Sequence, residues 1–253
     1  MAILIYEDYV HNNGTLYRAL CQHFGDSRVG FADAGDVHDG ILNDKVRLFV
    51  MPGGADLFYC EKLNGAGNKA IRRWVEQGGT YFGICAGAYY ACASLEWAKG
   101  TAQEISGPRE LGFFNGKAVG PIDAFTENGS ADKSWNAAVK ISDDAGTETT
   151  VHYNGGPLFE GTPGTVLMRY ATMPGKPAAA IECNVGSGRA LLCSFHPEST
   201  PQSFAAALYT HNNGSWAHDC RIATLLTPHT AAMKAVRARI FDRAAPDLKQ
   251  IAA

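Results

Sequence analysis

Cys85 lies in the segment with the clearest chemical signature of the chain. A short apolar run over residues 80–84 leads into this cysteine, Gly83 and Gly87 flank it, and an apolar helical pattern follows. This order is typical of a nucleophile elbow, a sharp strand-to-helix turn that raises a side chain above the carboxyl edge of a sheet. Free N–H groups at the start of a helix would stabilise a thiolate there. Taken alone, the segment fits a buried structural cysteine equally well.

His196 and Glu198 form a second signature, at the end of an apolar run over residues 189–195. Pro197 disfavours helix at the residue before it, so His196 is expected to be extended. Side chains two positions apart in an extended segment point the same way, so Glu198 can orient the imidazole. A lone histidine is more often a surface or core residue. A cysteine, a histidine and an acidic residue at one sheet edge instead predict nucleophilic catalysis.

The loop over residues 51–54 supplies backbone groups in place of side chains. Gly53 and Gly54 follow an apolar run and leave their amides unhindered. The amides of Gly54 and Ala86 are therefore predicted to form an oxyanion hole, and Gly53 is predicted to contact the substrate. A plain turn is the alternative interpretation of this loop.

Alternating strand and helix patterns position these residues in the first half of the chain. Apolar runs predict strands over residues 2–6, 28–32, 46–51 and 80–84. Helical spacing predicts helices over residues 14–24, 68–77 and 86–95. This order predicts an α/β fold with a mostly parallel sheet and helices on both faces.

The second half has a different pattern. Residues 100–164 are rich in glycine, proline and short strand signals, which predicts antiparallel strands inserted at one edge of the sheet. Further strands are predicted over residues 166–170, 178–183 and 189–195, with a hairpin turn at 186–188. Helical patterns over about 203–245 are predicted to pack on the same domain. The expectation is one domain over residues 1–253.

Composition narrows the class of protein. The chain has 253 residues, and its hydrophobic fraction of 46% is typical of a globular protein. Its formal net charge of −3 is unfavourable for binding nucleic acid or an anionic membrane. The seven cysteines include no CxxC pair, so neither a disulfide framework nor a zinc site is predicted. No cofactor is predicted either. The N-terminus lacks the features of a signal peptide, and no apolar run approaches the ~18 residues of a membrane span, so we expect a cytoplasmic protein.

In order and separation, the glycine loop, the cysteine elbow and the His-Pro-Glu segment resemble class I glutamine amidotransferases. One branch is more similar still: the N-terminal domain of eukaryotic biotin–protein ligases, with its stand-alone bacterial relatives. The segments that carry this resemblance are residues 51–57, 78–91, 109–121, 151–159 and 178–198. The resemblance implies a flavodoxin-like sheet, with Cys85 as nucleophile, His196 as base and Glu198 as orienting acid. The glycine- and arginine-rich biotinyl-adenylate loop of the ligases does not occur in these residues.

The elbow departs from the family pattern in one respect. Glutaminases of this family continue it with His-Gln, where this chain has Ala88, Tyr89 and Tyr90. Free glutamine is therefore expected to be a poor substrate. The two tyrosines suggest a cleft for a larger, flatter ligand, or packing that partly closes it.

Other polar residues are weaker candidates for substrate binding. Tyr89, Tyr153 and Asn154 could offer groups to the cleft, although the last two also fit a structural turn. Arg109 could bind a carboxylate or pair with Glu110, and the structural role is preferred.

Three functions follow from these patterns. The first is an amide or acyl hydrolase, or amidotransferase-like enzyme, that acts through a Cys85 thioester on a small-molecule or peptide-like amide. The second is a non-catalytic binding or regulatory module, linked to biotin metabolism through its family. The third is redox sensing at Cys85. The basic C-terminal helix is expected to be solvated, with a homodimer contact as the alternative.

Overall fold

The computed structural model describes residues 1–8, 13–125, 135–208 and 216–249. Its strands are β1 (Ile3–Tyr6), β2 (Val29–Ala32), β3 (Leu48–Met51), β4 (Thr80–Ile84), β5 (Cys92–Trp97), β6 (Ile105–Pro108), β7 (Phe114–Gly120), β8 (Asn136–Ser142), β9 (Glu148–Asn154), β10 (Leu158–Glu160), β11 (Thr165–Tyr170), β12 (Ala178–Val185) and β13 (Gly188–Cys193). Its helices are α1 (Asn13–Phe24), α2 (Ala34–His38), α3 (Asp56–Leu63), α4 (Ala66–Glu76), α5 (Ala86–Tyr90), α6 (Pro201–Leu208), α7 (Trp216–Leu226), α8 (Thr230–Ala244) and α9 (Pro246–Lys249).

The strands form two sheets. The larger has nine strands in the order β2-β1-β3-β4-β13-β12-β11-β8-β9. Its first five strands are parallel, and from β13 onward each neighbour is antiparallel. The smaller sheet has four strands in the order β10-β7-β5-β6. The predicted α/β fold of the flavodoxin type is confirmed, and its parallel half carries the cysteine elbow at the end of β4.

The two faces of the large sheet belong to different cores. Alternate residues of a strand point to opposite faces, so Ile3 and Ile5 of β1 pack with α1 and α8, while Leu4 and Tyr6 pack on the side of α3, α4 and α5. The small sheet joins the second core through residues such as Phe114 of β7. Helices therefore cover both faces, as the alternating sequence pattern predicts.

The predicted helix over residues 86–95 is wrong in its second half. Helix α5 ends at Tyr90, and β5 pairs with β6 and β7 from Cys92 onward. Short apolar runs fit a helix and a strand equally, so tertiary pairing decides between them. The insertion over residues 100–164 is also divided. Only β8 and β9 extend the large sheet, whereas β6, β7 and β10 form the small sheet with β5.

The C-terminal helices pack on the parallel half. Phe241 of α8 contacts Phe24 of α1 and Phe82 of β4 through its ring. Arg243 donates two hydrogen bonds, of 2.7 and 2.6 Å, to the buried Glu182 of β12. Residues 209–215, inside the predicted helical segment, lie outside the described residues. None of the helices described combines the length and apolar character needed to cross a membrane.

Candidate active site

The elbow places Cys85 at the turn from β4 to α5 in a left-handed conformation, with φ 50° and ψ −106°. The flanking glycines are required by close backbone contacts. A Cβ on Gly83 would lie 2.4 Å from the carbonyl oxygen of Gly87, and a Cβ on Gly87 would lie 2.1 Å from that of Met51. A residue held in this sparsely populated region marks a functional turn when its surroundings enforce it. The amide of Cys85 donates to Cys193 O over 2.9 Å, which fixes the turn to β13.

The thiol of Cys85 is buried, with 8% of the residue exposed. Its Sγ donates to the carbonyl oxygen of Asn154 at 3.3 Å. Helix α5 has only five residues, so its dipole contributes less to a thiolate than that of a full helix. A charged partner for the sulfur must therefore come from another element.

That partner is His196, in the turn after β13. Its amide donates to His152 O over 2.9 Å, and its Nδ1 lies 2.7 Å from Oε1 of Glu198, as the spacing around the proline predicts. Burial acts to lower the pKa of His196, but the charge of Glu198 and the contacts with Cys85 outweigh it, so the pKa is raised well above its ordinary value. Nε2 makes no hydrogen bond of normal geometry within the described ranges. In catalytic Cys–His pairs, a long or poorly aligned contact between the two side chains is common before substrate binds.

The loop after β3 lies against both side chains. A methyl group on Gly53 would lie 2.9 Å from Cε1 of His196 and 3.5 Å from Cβ of Cys85, so only glycine fits there without displacing the ring. The loop is held to the elbow because the amide of Gly87 donates to Pro52 O over 3.0 Å.

The backbone of this loop also supplies free donors. Gly54 has φ 147°, a conformation open to glycine. Across the part of the chain that the structure describes, the amides of Gly54 and Ala86 donate to no protein acceptor. Both residues line the same cavity.

A cavity of about 530 Å³ joins these groups. Most of the predicted site residues line it: Gly53, Gly54, Cys85, Ala86, Tyr89, Asn154, His196 and Glu198. Aromatic and apolar side chains form one wall, namely Phe58, Tyr89, Leu95, Trp97, Ile105 and Trp135. The rings of Trp97 and Trp135 meet edge to face with centroids 4.9 Å apart. Its size and its apolar wall suit a ligand with a flat apolar part.

Tyr153 does not reach the cavity, contrary to its predicted substrate-binding role. It is fully buried, and its hydroxyl donates to Gly156 O and accepts from the amide of Ile122, each over 2.8 Å. Successive residues of β9 face opposite sides, so Tyr153 and Asn154 cannot both face the ligand. Tyr90 is likewise outside the cavity, with its hydroxyl 2.6 Å from Oδ1 of Asn68.

Arg109 is also paired with a side chain inside the protein. Its Nε donates to Asp56 Oδ2 over 2.7 Å, and both side chains are more than nine-tenths buried. Glu110 does not pair with it, because it accepts from the amide of Gly65 and from Asn68. The carboxylate partner of Arg109 is thus internal, and Asp56, not the arginine, lines the cavity.

The sequence patterns missed a polar chain that also lines the cavity, formed by Asn136, His152, Ser199 and Asp219. His152 lies between Ser199 Oγ at 2.9 Å and Asn136 Oδ1 at 2.8 Å. Burial, followed by the charge of the nearby His196, lowers the pKa of His152 well below its ordinary value. Alternation along β9 was the available signal, because His152 shares its face with Asn154.

No group of three or more His, Cys, Asp or Glu side chains in the described ranges is arranged to hold a metal ion.

The family model described as "Biotin-protein ligase, N terminal" matches residues 7–240. The chain belongs to this biotin–protein ligase N-terminal family. It is 34% identical over 171 residues to an uncharacterized protein of Chlamydia muridarum, a match that covers 66% of each. It is 33% identical over 177 residues to a biotin–protein ligase of Schizosaccharomyces pombe, covering 66% of this chain and 28% of the ligase.

The chain spans less than two thirds of the length of either relative. Solved structures show the fold of this family member. A glutamine amidotransferase from Thermotoga maritima superposes with a TM-score of 0.58 at 9% identity, covering 96% of this chain and 97% of that one. A second glutamine amidotransferase gives 0.55 at 17% identity, covering 78% and 91%. This chain therefore has the fold of these glutamine amidotransferases.

Proposed function

We propose that the protein hydrolyses or transfers an amide-linked acyl group through a thioester on Cys85. One observation carries the proposal. Nδ1 of His196 is held 2.7 Å from Glu198, while Nε2 has no partner of normal geometry among the described residues and the ring lies beside the strained cysteine. An oriented imidazole with one nitrogen left for a nucleophile is the arrangement that covalent catalysis requires.

The first half-reaction forms the thioester. The raised pKa of His196 keeps on Nε2 the proton that Cys85 Sγ gives up, and the resulting thiolate attacks the carbonyl carbon of the amide. The amides of Gly54 and Ala86 donate to the resulting oxyanion. The C–N bond then breaks, and Nε2 gives its proton to the leaving amine.

The second half-reaction releases the acyl group. A water, or another nucleophile in a transfer reaction, gives a proton to Nε2 and attacks the thioester carbon. The C–S bond breaks, and the proton returns to the sulfur of Cys85. Glu198 stabilises the charged ring in both halves without taking the proton itself.

The cavity supports a substrate other than free glutamine. Among its described lining residues there is no lysine or arginine, while Asp56, Glu198 and Asp219 contribute carboxylates. An amino acid's carboxylate would find no arginine or lysine among these lining residues, and Arg109 is paired with Asp56. The apolar wall fits a substrate whose acyl or amine part carries a flat apolar group.

The test is amide turnover by purified protein. Release of amine is measured for glutamine and for a panel of aryl, peptide and γ-glutamyl amides, with Cys85→Ala and Cys85→Ser as controls. We expect turnover of an aryl or peptide amide that Cys85→Ala abolishes, and little turnover of glutamine. Robust glutaminase activity that depends on Cys85 would contradict the substrate assignment.

A non-catalytic binding module, linked to biotin metabolism by family, is the second candidate. It is favoured by the hydrogen bond from Cys85 Sγ to Asn154 O, which holds the thiol proton away from the imidazole. This alternative predicts no turnover of any amide and no preferential reactivity of Cys85. It also predicts that a cavity ligand binds equally well to the wild type and to Cys85→Ala.

A further inference from the structure

Ser199 lies in the wall of the Cys85 cavity, next to the catalytic turn. Its amide donates to the carbonyl oxygen of His196 over 3.2 Å, which holds it beside the ring. Its hydroxyl lies 2.9 Å from Nδ1 of His152. The hydroxyl oxygen is therefore placed both at the catalytic histidine's turn and at the end of the buried polar chain.

The direction of each hydrogen bond in that chain is set at its Asp219 end. A carboxylate accepts, so Nδ2 of Asn136 donates to Asp219 over 3.1 Å, and Oδ1 of Asn136 faces His152. Nε2 of His152 must then carry the proton. Because burial and the charge of His196 lower the pKa of His152, its ring is neutral and Nδ1 is an acceptor. The hydroxyl of Ser199 donates to Nδ1.

We propose that Ser199 Oγ, as an oxygen that can only accept, binds an N–H group of the substrate. Its single hydrogen is used by His152, and within the described ranges it makes no other hydrogen bond. The two lone pairs of the oxygen remain available to a donor in the cavity. The ligand class is a primary or secondary amide or an amine, and an ester or carboxylate oxygen is disfavoured at this position.

This inference rests on the proposed function, because it assigns a group that would bind the nitrogen side of the bond cleaved by Cys85. It adds a reason for selectivity. A site built to pair with an N–H rejects an analogue that lacks it, because its polar group is then left unpaired.

The chain offers a matched control in Ser203, which also lines the cavity. Its Oγ accepts from the amide of Thr200 over 2.8 Å and donates to Thr200 O over 3.1 Å. Both its donor and an acceptor position are used by the start of α6. Ser203→Ala therefore removes a cavity hydroxyl without removing the acceptor that Ser199 provides.

The tautomer of His152 is tested first, by the ring ¹⁵N chemical shifts of the folded protein at neutral pH. We expect a neutral ring with the proton on Nε2 and a lone pair on Nδ1. A neutral ring protonated on Nδ1 would make Ser199 a donor to the cavity and would overturn the inference.

Binding is tested with two small probes that alkylate Cys85, 2-chloroacetamide and methyl chloroacetate. They have similar size, and only the amide carries N–H groups. Each rate is divided by the rate of the same reagent with 2-mercaptoethanol, which removes intrinsic reactivity. We expect wild type to prefer the amide, and Ser199→Ala to reduce that preference about 3–10-fold, the effect of one hydrogen bond.

Two other variants show whether the effect belongs to the hydroxyl of Ser199 or follows the loss of any hydroxyl from the cavity wall. Ser199→Thr keeps the hydroxyl and should retain the preference, and Ser203→Ala should leave it unchanged. Equal preference in wild type and Ser199→Ala, with the fold intact by circular dichroism, would overturn the role of Ser199. Resistance of Cys85 to both reagents would instead overturn the proposed nucleophile, and the inference with it.

Discussion

His196 and His152 share one cavity, with ring centroids 5.3 Å apart, yet their surroundings drive their charges in opposite directions. Burial acts to lower the pKa of both. At His196 the charge of Glu198 and the contacts with Cys85 outweigh burial, so the pKa rises. At His152 the hydrogen-bond partners are a hydroxyl and an amide, so burial dominates and the pKa falls.

The difference shows that the partner of each ring, and not its depth in the protein, decides its charge. Two charged rings at this distance would repel each other, so a neutral His152 leaves the positive charge to His196. The charged ring is suited to giving a proton to a leaving group at Cys85, the proposed nucleophile. The neutral ring donates from Nε2 to Asn136 and accepts at Nδ1 from Ser199, so it fixes which atoms donate between Asp219 and Ser199.

Replacing each histidine separately should give the largest difference in kcat/KM between two variants. His196→Ala removes the general base and should lower Cys85-dependent turnover of the best amide of the panel by about 10²–10⁴-fold. His152→Gln keeps a neutral polar side chain and should stay within about tenfold of wild type, the effect of one hydrogen bond. Equal losses in both variants, measured as kcat/KM, would show that the comparison between the rings is wrong.

Glu198→Gln makes the environment of His196 resemble that of His152. Without the carboxylate charge, the pKa of His196 should fall, so the ring loses its proton at a lower pH than in wild type. Alkylation of Cys85 near pH 7 should slow by about tenfold for each unit of that shift. NMR titration of the ring with parallel alkylation rates checks both, and an unchanged titration would leave Glu198 without its assigned role.

Gly53→Ala tests the geometry around His196 without changing any charge. The new methyl group would lie 2.9 Å from Cε1 of His196, so the ring must move. We expect Cys85 alkylation to slow by about three- to tenfold, since small displacements of reacting groups are costly. Gly14→Ala, whose methyl group would meet only Arg18 Nη1 at 3.9 Å, is the control. Equal rates in the two variants would argue against a working contact between ring and thiol.

The effect furthest from the proposed chemistry is on stability in acid. His152 is neutral when folded and binds a proton on unfolding below its ordinary pKa of about 6.5. Its contribution to the free energy of unfolding is therefore present above that pH and falls by up to about 1.4 kcal/mol per pH unit as pH decreases. His196, with a raised pKa, acts in the opposite sense, since its stabilisation is lost as pH rises through its folded value.

Urea unfolding between pH 7 and 5 separates the contribution of His152 to the free energy of unfolding from that of His196. His152→Gln should lose less stability than wild type over that range, with Ser203→Ala behaving as wild type. Parallel curves for wild type and His152→Gln would show that His152 is not neutral in the folded protein.

The same two histidines mark what the sequence could and could not predict. His196 and its partner lie two residues apart, so local geometry was enough to pair them. His152 takes its partners from Asn136 and Ser199, and Arg109 takes its own from Asp56, all distant in sequence. Such pairs depend on which strands and helices the fold brings together.

The same distinction between local and distant contacts applies to the fold. The parallel strands and the elbow follow from apolar runs and from the two glycines that flank Cys85 in the sequence. The end of α5 and the small sheet were not predictable, because the pattern of residues 92–97 fits a helix and a strand equally. Only pairing with β6 and β7 makes this segment a strand. Side chains alternate along β9, so Tyr153 faces the core while His152 and Asn154 face the cavity.

Competitive alkylation of the seven cysteines tests the central claim most directly. Burial raises the pKa of four thiols, to about 11 for Cys183, the others being Cys60, Cys92 and Cys193. Limited iodoacetamide treatment at pH 7, followed by peptide mapping, should label Cys85 first, and Glu198→Gln should reduce that lead. Labelling led by Cys220 or Cys60, with Cys85 unmodified, would contradict the account of Cys85 and His196 as a working nucleophile and base.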